Sequence, residues 1–156
     1  MMNIYFPSEE IEENDLFFIC YMIERVARRL HQKNKYIVNA IGEKNFAHLL
    51  STANVSHCEN PLSVEDRWIA EYNLQAGCFD ITCINPQIAS IVPTESQIGK
   101  VYQRLILDTT VPNEDYNESI LRVYNSCICD IIDNYNSSAF YEPPYIIAKA
   151  YEHGSF

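Results

Sequence analysis

Glycine is scarce in this sequence, with only four residues, at Gly42, Gly77, Gly99 and Gly154. Phosphate cradles of the P-loop or dinucleotide type need several glycines in one short turn, because only a residue without Cβ lets the backbone close on an anion. Four scattered glycines exclude such cradles. Long apolar runs are missing too. The longest, Leu16–Ile23, falls well short of the roughly 18 residues that mark a membrane span. The first residues, Met1-Met2-Asn3-Ile4-Tyr5-Phe6-Pro7, carry neither the basic nor the long apolar region of an export signal. A cytoplasmic location is therefore expected, with no membrane partner. Basic residues are few: 11 Lys and Arg stand against 21 Asp and Glu, a formal net charge of −10. That field repels phosphate backbones and attracts basic proteins, so it disfavours nucleic acid as a partner. No serine hydrolase motif, internal repeat or low-complexity segment is present.

What the chain does contain is an ordinary globular composition. Its 156 residues suffice for a single domain, and a hydrophobic fraction of 47% is too high for a disordered chain. Six cysteines occur, Cys20, Cys58, Cys78, Cys83, Cys127 and Cys129. Without an export signal they are expected to be reduced and mostly buried, not joined in a disulfide framework.

Periodicity predicts a mainly α fold, a compact helical domain of about six helices. Leu16, Ile19, Ile23, Val26 and Leu30 recur at three- and four-residue steps and predict a helix over about 15–33. Asn34 opens a short helix that stops at Gly42, and a third follows over about 43–52. Together these three form an N-terminal unit over about 15–53. Ser63, with Asp66 three residues on, suggests the cap of a helix carrying Trp68, Ile69 and Tyr72. Over about 79–92 the helical period is lost. Phe79, Ile81 and Cys83 alternate and Asn85-Pro86 marks a turn, so a small β-hairpin and an irregular loop fit equally well. Thr94 and Gln97 match a capping box ahead of Ile98, Val101, Tyr102, Leu105 and Ile106. Tyr116, Ile120, Tyr124, Cys127, Ile131 and Tyr135 then trace one apolar stripe, read as a single long helix. Pro143-Pro144 starts the last, through Ala150.

No catalytic or metal-binding set is legible, and no cofactor is implied. Zinc sites show two close pairs such as C-x2-C, whereas Cys78 and Cys83 lie too far apart. Cys127 and Cys129 are two apart on a helix, where they face different ways. Thiol catalysis needs a base beside the sulfur, and His57-Cys58 is the one adjacent pair. A turn residue next to a partly buried thiol is its plainer reading. Arg25, Arg28, Arg29 and Lys33 form a basic stripe, most simply the solvated face of the first helix. The acidic run Glu9, Glu10, Glu12, Glu13, Asp15 suits that helix's N-terminal dipole. Glu24 lies on the most apolar helix, with Arg28 four residues later as its local partner. Eleven tyrosines suit protein interfaces, but most fall on predicted core faces.

Phe17-Phe18-Ile19-Cys20-Tyr21-Met22-Ile23-Glu24, Val38-Asn39-Ala40-Ile41-Gly42, Leu49, Leu50 and His57, then Asp66 and Ile69, form a pattern over about Asp15–Tyr72. It resembles a small bacterial helical domain family with a Phe-rich first helix ending in Cys-Ile-Glu. That family has a short second helix before a Gly and a His in the following loop. Here Cys-Ile-Glu is stretched to Cys20-Tyr21-Met22-Ile23-Glu24, and the C-terminal half has no counterpart. Such domains are often encoded beside ADP-ribosyltransferase-like toxins, so the resemblance implies an antitoxin-like or accessory role.

The expectation is a non-enzymatic protein-interaction domain whose partner is a protein with a basic surface. Its candidate binding residues are Glu24, Arg25, Arg28 and Arg29 on the first helix and His57 in the loop. Two alternatives stand beside it. One is a DNA-binding regulator whose helix over about 43–52 would present Lys44, Asn45 and His48. The other is an enzyme using His57, Cys58 or a carboxylate cleft.

Overall fold

A computed structural model describes residues 1–156. One helix, α1 (Glu13–Leu30), is the element around which the rest is assembled. Leu16, Ile19, Cys20, Met22, Ile23, Val26 and Ala27 are all essentially removed from water. Burial of each large side chain contributes about 1.5–3 kcal/mol. The helix begins where Asp15 Oδ2 accepts the backbone N–H of Glu12 at 2.8 Å. It stops at His31, whose φ of 51° is left-handed.

Around α1 run α2 (Asn34–Ile41), α3 (Glu43–Ser56), α4 (Pro61–Glu71), α5 (Glu95–Asp108), α6 (Tyr116–Tyr124), α7 (Cys127–Ile132) and α8 (Pro144–His153), with a 3-10 turn at Ala139–Tyr141. The mainly α fold is thus as the periodicity predicts. α1 packs most extensively on α5 and also against α2, α3 and α4; α6 bridges α2, α3 and α5. The α1–α5 crossing is close because Gly99 faces the backbone of Tyr21. A Cβ at Gly99 would lie 2.9 Å from Tyr21 Cα and N. All the α-helices feed one continuous core, in which Trp68 meets Phe46 edge-on and Tyr102 stacks on Tyr124.

Several local signals act as the sequence implies. Gly42, at φ 82°, ends α2 and admits α3 in a single residue. Thr94 Oγ1 accepts from Gln97 N at 3.1 Å and Gln97 Oε1 from Thr94 N at 2.8 Å, a complete capping box. Other expectations are corrected. α4 starts two residues before Ser63, at Asn60-Pro61, where Asn60 Oδ1 accepts from Leu62 N at 3.0 Å. Pro61 suits the first helical position because it lacks an N–H.

The single helix expected through residue 135 is broken at Asn125-Ser126. There Asn125 Nδ2 and Ser126 Oγ bond back to the carbonyls of Leu121 and Val123 at 2.8 and 2.6 Å. Such side chains compete with the helical ladder. No hairpin forms over 79–92; the isolated bridge between Met2 and Glu10 is the sole β pairing. Instead Asp80 and Asn85 accept from Thr82 N and Gln87 N in Asx turns. Gly77 N and Phe79 N reach the Leu30 and His31 carbonyls, tying the loop to the end of α1. The cysteines also differ from expectation. Only Cys20 and Cys129 are buried, while Cys58, Cys78, Cys83 and Cys127 are exposed, and all are free. Three of the exposed four lie in turns or loops, outside the helical stripes that direct side chains inward.

Candidate functional site

Two places concentrate polar chemistry. The first lies inside the core. Glu24, 1% exposed, accepts from Arg28 Nε at 3.0 Å and from the Tyr135 hydroxyl through Oε1, and from Asn34 Nδ2 at 2.7 Å through Oε2. The same Asn34 nitrogen lies 3.1 Å from Asp133 Oδ2. Asp133 Oδ1 accepts from the Tyr102 hydroxyl at 2.6 Å, and its Oδ2 from Cys129 Sγ at 3.3 Å. Four segments distant in sequence therefore meet on two carboxyls. The opposite Asn34 amide orientation would set an oxygen against both, which explains why Oδ1 is the atom left without a partner.

Burial, with the charge of Glu24 adding to it, pushes the Asp133 carboxyl up to about 7. Burial likewise lifts the Cys129 thiol and the Tyr135 phenol. Asp133 reaches the wall of a cavity of about 370 Å³ that also includes Lys33, Lys35, Asp130 and Tyr135. Lys35 is held by Asp130 at 3.0 Å and Lys33 lies over the Phe79 ring. The network can hold or release a proton at Asp133. Apart from Asn34 Oδ1, its remaining hydrogen-bonding groups are spent on one another, which makes it first a device that fixes the core.

The second place is at the surface. A groove of about 710 Å³ is lined by Glu9, Glu10, Glu12 and Asp15 at its rim, with Phe17, Phe18, Tyr21 and His57 among its other walls. No Lys or Arg is among its lining residues. Phe17 and Tyr21 stack with centroids 6.2 Å apart, one helical turn from each other on α1, and both are half-buried. The N-terminal arm that brings Glu9 and Glu10 here is pinned to α3. Asn3 Nδ2 donates to Ser51 O at 2.8 Å and Asn54 Nδ2 to Glu9 Oε2 at 3.1 Å.

The candidate residues named from sequence separate into three positions. Glu24 and Arg28 belong to the core network, and Arg28 also donates to Pro93 O at 2.6 Å. Arg25 and Arg29 turn to α4. Arg25 binds the buried Glu65 through Nε and Nη2 at 3.0 and 2.8 Å, and Arg29 binds Asp66 at 2.6 Å. The three arginines of the basic stripe are thus neutralised within the chain and knit its helices together. His57 alone reaches the groove. Of the helix-α3 residues weighed for DNA, Asn45 donates to Ile41 O at 2.8 Å and His48 meets the Tyr5 hydroxyl. No three His, Cys, Asp or Glu side chains are grouped to hold a metal ion.

Sequence reasoning missed Asn34, Tyr102 and Asp133 as a cluster, because Tyr102 and Asn34 lie 31 and 99 residues from Asp133 and only Cys129 is a local partner. The acidic run is visible in the sequence, but its placement beside Phe17 and Tyr21 is not, because contacts of the N-terminal arm with α3 set it. No family model, curated protein or solved structure matches the chain.

Proposed function

We propose that this protein is a non-enzymatic binding domain that receives a basic segment of a partner protein in the groove between its N-terminal arm, α1 and the α3–α4 turn. One observation carries the reading: the groove joins four carboxylates to a half-buried aromatic pair, and no Lys or Arg is among its lining residues, although Arg25 and Lys100 lie over the Tyr21 and Phe17 rings. The fitting occupant is a stretch of chain that alternates Lys or Arg with apolar side chains. Each rim ion pair is worth only about 0–1 kcal/mol, so the carboxylates select sign and speed encounter while Phe17 and Tyr21 supply the desolvated contact. The net charge of −10 extends the same preference over longer range. An antitoxin-like role, drawn from the resemblance of residues 15–72, is the specific form proposed. In it the groove would cover a basic region of a toxin encoded by the adjacent gene.

The test uses the full chain and a paired charge reversal, Glu9→Lys with Glu10→Lys. A control reverses Asp108 and Glu152, two exposed acids outside the groove. Fluorescence anisotropy with a labelled Arg/Leu-alternating peptide, and co-purification with the adjacent gene product, give the readouts. The groove variant is expected to weaken peptide binding by about tenfold or more, and the control by much less. Equal losses in the two variants, or no binding of a basic peptide at all, would overturn the proposal.

A further inference from the structure

The α3–α4 turn carries chemistry that the groove does not require. His57 caps the C-terminus of α3, and its Nδ1 lies 3.2 Å from the Ala53 carbonyl. A carbonyl only accepts, so Nδ1 carries the ring proton and Nε2 presents its lone pair. Cys58 Sγ stands 3.6 Å from that Nε2. The ring is braced edge-on by Phe18, at 6.5 Å between centroids. The turn itself is built: Cys58 N donates to Val55 O at 3.1 Å, and Arg67 bonds both Ser56 Oγ and the Glu59 carboxylate on either side of Cys58. A nucleophile, a base and a group orienting the base are therefore in sequence.

We propose that Cys58 and His57 form a thiol–imidazole pair that makes Cys58 a site of reversible S-thiolation by low-molecular-weight disulfides. The Cys58 S–H proton passes to His57 Nε2. The thiolate attacks one sulfur of the disulfide R–S–S–R, the S–S bond breaks, and a Cys58–S–S–R bond forms. The departing RS⁻ takes the proton from His57 and leaves as RSH. Cys58 is oxidised and half of the small disulfide is reduced, so no other oxidant enters. The proposal does not depend on the groove having a partner.

The exposed thiols of Cys78 and Cys83, which make no bond to an imidazole, serve as internal references. The folded protein is treated with dithiodipyridine, a neutral disulfide that the acidic surface does not repel. Modification at each cysteine is then followed by peptide mass spectrometry across pH. With His57 Nε2 placed to take the thiol proton, Cys58 should react about tenfold faster than the references. His57→Gln should bring Cys58 down to their rate and move its pH profile to that of an ordinary thiol, with thermal unfolding unchanged. A Cys58 rate equal to the references overturns the proposal, as does a fast Cys58 that keeps its rate and pH profile in His57→Gln. If His57→Gln unfolds the chain, His57→Asn replaces it under the same criteria.

Discussion

Asp133→Asn should change how stability depends on pH. The carboxyl of Asp133 is raised from an ordinary value of 3.8 to about 7, first by burial and then by the neighbouring charge of Glu24. Between about pH 4 and pH 7 the native protein holds a proton there that the unfolded chain has released. Because the unfolded chain binds fewer protons in this window, stability contributed by the group is fully present below the window and falls as pH rises through it. About three pH units at about 1.4 kcal/mol each set an upper bound of about 4 kcal/mol. Asp133 is partly exposed, and screening brings the expectation to about 2–3 kcal/mol.

Asparagine is neutral throughout and keeps an oxygen for the Tyr102 hydroxyl, so it lacks this slope. Trp68, the single tryptophan and 1% exposed, reports unfolding by its fluorescence. Urea titrations from about pH 4.5 to 7.5 should show wild type losing about 2–3 kcal/mol relative to the variant as pH rises. Glu24→Gln, by removing the neighbouring charge, should narrow the window from its upper end. A wild-type-minus-variant difference that is flat across the range would refute the assignment of that proton to the Asp133 carboxyl.

Two further outcomes test the packing. Gly99→Ala sets a methyl 2.9 Å from the Tyr21 backbone, which cannot rotate away. It should destabilise by about 1–3 kcal/mol in a urea titration despite the roughly 1 kcal/mol helical advantage of alanine. Arg122 grips Glu114 through Nε and Nη2 at 2.7 and 2.8 Å while also reaching Thr109 O and the Tyr151 hydroxyl. Arg122→Lys loses that fork and should cost about 1–2 kcal/mol. The loss should shrink as pH falls through the lowered value of Glu114, because its hydrogen bond from Arg122 is what depresses it.

Much of the helix inventory was already written locally. The span Asn34–Ile41 with its stop at Gly42, the Thr94–Gln97 box and the Pro144 start all rest on interactions within four residues, so neighbours in sequence suffice to specify them. The break at Asn125-Ser126 was legible only in part, since apolar periodicity continues across it while two side chains divert the backbone. The stripe Arg25, Arg28, Arg29 shows where sequence runs out. Composition and period set the residues on α1, but the positions of Glu65, Asp66 and Pro93 decide that all three are already paired.

Fold class and the sign of the surface field were thus determined by the sequence itself, through periodicity and charge count. Which carboxyls meet in the core, which thiols face water, and that the acidic run lines one groove with Phe17 and Tyr21 were decided only by the tertiary structure. Those properties depend on distances between residues far apart in the chain, and no local pattern encodes such a distance.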